Sequence, residues 1–258
     1  MSLPLEGVAV VVTRPARQAA GIVQQVAALG AVPIAWPAIV ILPPRDDAAL
    51  ARAHASLDRY DIAFFVSANA AEYGAPPKGA WPAGLQAYAP GPGTAAALAA
   101  VGIGDARIPS TTCDSEGLLA LPELASLEGK RAIVFRGDGG REELTRTLAE
   151  RGARVDVVSC YRRAAPSGDA RGLLDAIARH RTVVLTLTSS EGIDNLVRAA
   201  GEAGRTMLAR LPAFVPHPRI AGHARALGLD ARVTAGGDAG LVAGLLEWAS
   251  SRNAPSKE

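Results

Sequence analysis

Cysteine is nearly absent from this chain: its 258 residues hold two, Cys113 and Cys160, far apart and in no C-x-x-C pair. Neither a disulfide framework nor a zinc cluster is expected, and a reducing compartment suits the thiols. Excess charge is missing too. Lys and Arg number 27 against 25 Asp and Glu, a formal +2, which is too little for a nucleic-acid stripe or for an anionic membrane surface. No nucleic acid and no membrane is expected as a partner. The opening residues 1–7 (MSLPLEG) carry no basic patch and lead into an apolar run of only residues 8–12. Neither a signal peptide nor a membrane span is read there, and the expected location is cytoplasmic. The histidines, His54, His180, His217 and His223, show no H-E-x-x-H spacing and none stands near a cysteine, so no metal is expected. A G-x-S-x-G elbow and a Gly-Lys-Ser/Thr phosphate loop are also missing, so neither a hydrolase nor a triphosphatase is marked.

What is present is a globular composition, 49 % hydrophobic and 20 % charged, rich in Ala, Gly and Val with only 4 % aromatics. The length suits two domains at roughly 100–200 residues each. The chain also repeats itself. Leu5-Glu6-Gly7 lies over Leu127-Glu128-Gly129, Arg14 over Arg136 and Gly30-Ala31 over Gly152-Ala153, at a constant offset of 122 residues. Residues 85–103 (LQAYAPGPGTAAALAAVGI) lie over 211–229 (LPAFVPHPRIAGHARALGL) at an offset of 126. The chain is two copies of a unit of about 125 residues.

Within each copy, β-branched runs at 8–12, 62–66, 133–135 and 183–187 alternate with Ala-rich segments of helical spacing, such as Ile22, Val26 and Leu29 before Gly30. That order predicts βαβ units and a parallel sheet, with a glycine stop after each helix. After those glycines come unusually long extended stretches, 32–42 and 154–163, read as bridges near 32–44 and 154–165 between two lobes.

In an open parallel sheet ligands bind beyond the carboxyl ends of the strands, where helix starts expose N–H groups. Five such loops stand out: Thr13-Arg14-Pro15, Ser67-Ala68-Asn69, Pro90-Gly91-Pro92-Gly93-Thr94, Arg136-Gly137-Asp138-Gly139-Gly140-Arg141 and Thr188-Ser189-Ser190-Glu191. They could cradle carboxylates or phosphates, with Arg14, Arg136 and Arg141 adding charge, or serve only as ordinary helix caps. Gly91-x-Gly93-x-x-Ala96 is a partial dinucleotide fingerprint, but the sibling loop at His217 has no glycine and no acid ends the next strand. Tyr161, in the second bridge, has two readings: a ring packed on one lobe, or a phenol that donates a proton.

The residues together resemble the uroporphyrinogen-III synthase family across nearly the whole chain. The resemblance rests on Thr13-Arg14-Pro15 after the opening strand, Tyr60-Asp61 followed by FFVSANA, the Gly/Pro-Thr94 loop, Arg136-Gly137 with Gly140-Arg141-Glu142 and Leu144, and Tyr161-Arg162. It implies two similar doubly wound α/β lobes with parallel sheets, joined by a two-stranded antiparallel ladder. Residues 1–37 and 166–258 would form the first lobe and 40–163 the second, with substrate in the cleft.

The activity it implies is closure of linear hydroxymethylbilane to uroporphyrinogen III, with inversion of ring D, loss of water and no cofactor. Hydroxymethylbilane synthase would hand over the substrate to a monomer. The resemblance makes Tyr161 the catalytic acid. It makes Thr13, Arg14, Ser67, Ala68, Asn69, Gly91, Thr94, Ser115, Gly137, Arg141, Ser189, Ser190 and His217 the substrate-binding residues. One departure stands out, since Arg219 and Ile220 occupy the second P-x-P loop where the family carries a Ser/Thr-Thr pair. A small-molecule binding or sensor protein of the same architecture, without catalysis, is the alternative.

Overall fold

The computed structural model describes residues 3–110, 112–139 and 142–253. Its strands are β1 (Val8–Val12), β2 (Val32–Ala35), β3 (Val40–Leu42), β4 (Ile62–Phe65), β5 (Gln86–Tyr88), β6 (Arg131–Gly137), β7 (Arg154–Ala164), β8 (Thr182–Thr186), β9 (Pro212–Val215) and β10 (Asp230–Val233). Its helices are α1 (Ala16–Ala28), α2 (Asp47–His54), α3 (Ala68–Gly74), α4 (Pro92–Ala100), α5 (Ser115–Leu119), α6 (Glu143–Glu150), α7 (Arg171–Ala178), α8 (Ser190–Leu208), α9 (Pro218–Ala226) and α10 (Gly237–Asn253). The chain divides into two compact units, residues 1–40 with 164–258, and residues 41–163.

The first unit holds a five-stranded sheet in the order β10-β9-β8-β1-β2, parallel at every pairing. Its central strands are apolar on both faces, and all five residues of β1 are buried, as helices covering both sides of a parallel sheet require. Ala9, Val11, Val183 and Leu185 face Leu173 and Ile177 of α7 and Ile193 and Leu196 of α8. Val8, Val10, Val12 and Val184 face Ile22 and Val26 of α1 and Leu241, Leu245 and Trp248 of α10.

The second unit repeats the plan with the order β3-β7-β6-β4-β5, in which β7, β6, β4 and β5 run parallel. Phe65 and Phe135 stack with centroids 4.7 Å apart on one face, and Phe64, Val134, Leu144 and Leu148 pack on the other.

The duplication is visible in the backbone. Leu5 N–H bonds the Leu29 carbonyl at 2.9 Å, and Leu127 N–H bonds the Arg151 carbonyl at 2.8 Å. Gly30 and Gly152 end their helices at φ +92° and +96°, a region where only glycine is free of a Cβ penalty. Each unit thus combines parts of both copies: β1 and β2 join β8 to β10, while β6 and β7 join β4 and β5.

The two long extended stretches differ from a simple pair of bridges. Residues 32–42 break at Trp36-Pro37-Ala38-Ile39, so that β2 belongs to the first sheet and β3 to the second. Residues 154–164 are one unbroken strand, β7, a full member of the second sheet between β3 and β6. The Trp36 and Ala38 N–H groups, on either side of Pro37, still bond the Val12 and Thr13 carbonyls at 2.9 Å each, so the pairing of this stretch with β1 runs out where β1 itself ends, and Pro37 only restricts the residue before it.

Asp61 ties β4 to β6 by accepting from the Arg131 N–H at 2.9 Å and from Lys130 Nζ at 3.2 Å. The Arg131 N–H first, then Lys130, holds its carboxyl below the ordinary 3.8. Because folding lowers this pKa, the stabilisation is present above the unfolded value and is lost as pH falls through the folded one. Asp61→Asn is expected to lower Tm at neutral pH and to reduce the fall of Tm on acidification, as read from thermal melts across a pH series.

Candidate active site

The carboxyl end of β6 carries a break in register. Arg136 pairs with Ser159, but the next residue, Gly137, pairs with Tyr161. The extra residue in β7 is a bulge, and it ends the inside-outside alternation: Val158 is buried, Ser159 exposed, and then Cys160 and Tyr161 are both buried. Bulges re-aim side chains at sheet rims, and this one turns the phenol of Tyr161 over Gly137. A Cβ at Gly137 would stand 2.6 Å from Tyr161 Cζ and 2.9 Å from its Oη, so the ring occupies the space a side chain would need.

The Tyr161 hydroxyl lies 3.2 Å from Ser67 Oγ. Ser67 is the N-cap of α3 and accepts from the Ala70 N–H at 3.1 Å. Tyr73, on the same helix, tilts against the Tyr161 ring at 6.3 Å and donates its own hydroxyl to the Ile41 carbonyl. Burial pushes the neighbouring Cys160 thiol up to about 12, whereas Cys113 is exposed. A disulfide-exchange reagent is therefore expected to titrate one thiol in the native protein and two after denaturation.

A cavity of about 260 Å³ lies at the carboxyl ends of β4, β5 and β6, on the face of the sheet packed by Val134 and Leu144, with Arg136, Ser115, Asp114, Cys113 and Thr145 among its lining. Asp114, rather than Ser115, caps α5 by accepting from the Gly117 N–H at 2.7 Å. Gly91 caps α4, with Pro92 at its first position, and Thr94 is buried one turn later. Ala68 and Asn69 are half-buried in the first turn of α3. Arg141 lies outside the described residues.

In the first unit the Thr13 hydroxyl is committed inward, donating to the Thr186 carbonyl at 2.7 Å, and Arg14 pairs with Asp238 of α10. Ser189 caps α8, accepting from the Gly192 N–H at 3.0 Å, and Ser190 begins the helix. His217 caps α9 through Nδ1, which accepts from the Arg219 N–H at 3.1 Å. At the departure from the family's second P-x-P loop, Ile220 is buried in the core and the Arg219 side chain is exposed. The loop thus keeps its helix cap but offers an imidazole and a guanidinium where hydroxyls were expected.

Sequence reasoning missed Tyr73, Asp114 and Asp238. The T-x-D-x-x-G spacing of Thr112, Asp114 and Gly117 is a readable cap signal, whereas Tyr73 and Asp238 are placed by tertiary packing alone. Among the described residues no group of three or more His, Cys, Asp or Glu is placed to hold a metal ion, and no helix is long and apolar enough to cross a membrane.

A family model described as uroporphyrinogen-III synthase HemD matches residues 20–237. The chain belongs to the uroporphyrinogen-III synthase family. A protein named uroporphyrinogen-III synthase from Salmonella typhimurium is 36 % identical over 226 residues, 85 % of this chain and 91 % of its own length. Another of that name from Escherichia coli is 35 % identical over 194 residues, 72 % of this chain and 78 % of its own. The solved structure of uroporphyrinogen-III synthetase from Helicobacter pylori shares the fold, with a TM-score of 0.59 at 13 % identity, covering 96 % of this chain and 100 % of that one. Membership in the synthase family covers both units, since the matched residues run from α1 to the start of α10.

Proposed function

We propose that this uroporphyrinogen-III synthase closes hydroxymethylbilane to uroporphyrinogen III with Tyr161 as its acid, acting as a monomer that receives substrate from hydroxymethylbilane synthase. The observation that supports the acid role is the placement of Tyr161: a bulge turns its phenol to the carboxyl end of a parallel sheet, where such folds bind ligands.

The chemistry asks little of the protein beyond orientation. Tyr161 gives its proton to the terminal hydroxyl, the C–O bond breaks, and water leaves while a pyrrole nitrogen supplies the electron pair. The azafulvene that results is attacked by the substituted carbon of the last ring, and the spiro intermediate fragments and recloses inverted. The final closure releases a proton from a ring carbon, which restores the phenol. One water is lost in all. Holding a flexible substrate in attack geometry supplies much of the acceleration, and general acid catalysis supplies a further factor of about 10² to 10⁴.

The substrate's acetate and propionate arms suit the N–H groups at helix starts, namely Ser67, Ala68, Asn69, Gly91, Thr94 and Ser115 in one unit and Ser189, Ser190 and His217 in the other. Gly137 carries the approach of the ring to the β6 terminus, Arg14 and Arg141 add charge, and Thr13 holds the loop that carries Arg14. Pyrrole electrons drive every step, so no cofactor is required. The test is the rate of hydroxymethylbilane consumption by protein passed through chelator and desalted. An unchanged acceleration over the spontaneous reaction is expected, and loss of that acceleration with recovery on adding back a metal would contradict the cofactor-free mechanism.

A further inference from the structure

We infer that Ser67 is a positioning residue for the Tyr161 phenol, donating a hydrogen bond from its hydroxyl to the phenol oxygen so that the phenol proton is left for the departing hydroxyl. This rests on the acid role of Tyr161 proposed above.

A serine hydroxyl has one proton and two lone pairs. Ser67 Oγ accepts from the Ala70 N–H at 3.1 Å, which occupies a lone pair and fixes the side-chain rotamer at the helix start. Its other partner is Tyr161 Oη at 3.2 Å, a contact in which either oxygen is able to donate. With the cap bond made, the Ser67 proton has the phenol oxygen within reach. Donation in that direction leaves the Tyr161 O–H pointing away from the protein's own acceptor, and it stabilises the negative charge that develops on the phenol oxygen as its proton leaves.

Gly137 completes the arrangement from the other side. The ring sits where a Cβ would be, 2.8 Å from Cε2, so the phenol is fixed between a backbone it touches and a hydroxyl it binds. Ser67 is thereby engaged twice within its own unit, by the helix and by the phenol. The effect of its hydroxyl on the reaction passes through Tyr161, whereas its backbone N–H belongs to the helix start offered to the substrate's carboxylates.

The test is a double-mutant cycle of Ser67→Ala and Tyr161→Phe, read as kcat and KM for type III product with a thermal melt of every variant. Ser67→Ala in the native background is expected to lower kcat about tenfold with KM little changed. In the Tyr161→Phe background it is expected to leave kcat where Tyr161→Phe alone put it. The lost cap lowers Tm in both backgrounds, and Ser67→Thr, which keeps hydroxyl and cap, restores kcat. An equal fall in kcat in both backgrounds would overturn the positioning role while the acid role stands. If Tyr161→Phe alone leaves kcat unchanged, the acid role falls and this inference with it.

Discussion

Tyr161→Phe is expected to lower kcat for uroporphyrinogen III by about a hundredfold or more, with KM changed little, because it removes the proton donor and keeps the ring. The phenylalanine ring keeps the packing of Tyr161 against the second unit's core, where Phe135, Cys160 and Val158 are its neighbours in one buried cluster. Among the described residues the hydroxyl bond to Ser67 is the one hydrogen bond lost, worth about 1 kcal/mol, so the melt should move only slightly. Steady-state kinetics with hydroxymethylbilane generated in place check the expectation. A fall in kcat below threefold in a folded variant would show that the hydroxyl leaves without help from this phenol.

Gly137→Ala has the second largest expected effect, and it acts through space. The added methyl would meet Tyr161 Cζ, Cε2 and Oη at 2.6, 2.8 and 2.9 Å, closer than any carbon contact tolerates. Either the ring swings out, breaking the Ser67 bond, or β6 and β7 separate at their bulge. Overpacking of this kind costs about 1–3 kcal/mol, and kcat should fall towards the Tyr161→Phe value. Gly222→Ala is the matched control. Gly222 lies inside α9 with nothing within 4 Å of the added carbon, so the change is expected to raise stability by about 0.5–1 kcal/mol and to leave kcat alone. Chemical denaturation with parallel assays separates the two effects.

The architecture was legible because the chain states it twice. Leu5 and Leu127, Gly30 and Gly152, and the P-x-P loops at 90–92 and 216–218 give the repeat, and the Val-rich runs give the buried strands. The break of residues 32–42 into β2 and β3 was less legible, since VPIAWPAIVIL is apolar throughout and its two prolines do not mark the boundary: Pro33 lies inside β2 and Pro37 beyond it.

The candidate site was legible as types of residue and not as partners. Ser67 and Tyr161 lie 94 positions apart, and no periodicity links them. The bulge that brings Tyr161 over Gly137 leaves no mark in VVSCYRR, because it depends on how β7 pairs with β6. Thr13 shows the opposite case. It reads as a loop hydroxyl from sequence, yet the end of β1 presses it against β8, and its hydroxyl donates to the Thr186 carbonyl.

The most direct test of the account is the isomer ratio. Hydroxymethylbilane is generated enzymatically, the protein or its Tyr161→Phe variant is added, and the oxidised products are separated into types I and III by chromatography. The account predicts predominantly type III with the native protein and a slow type III yield over a type I background with the variant. Type I alone from the folded native protein would contradict it.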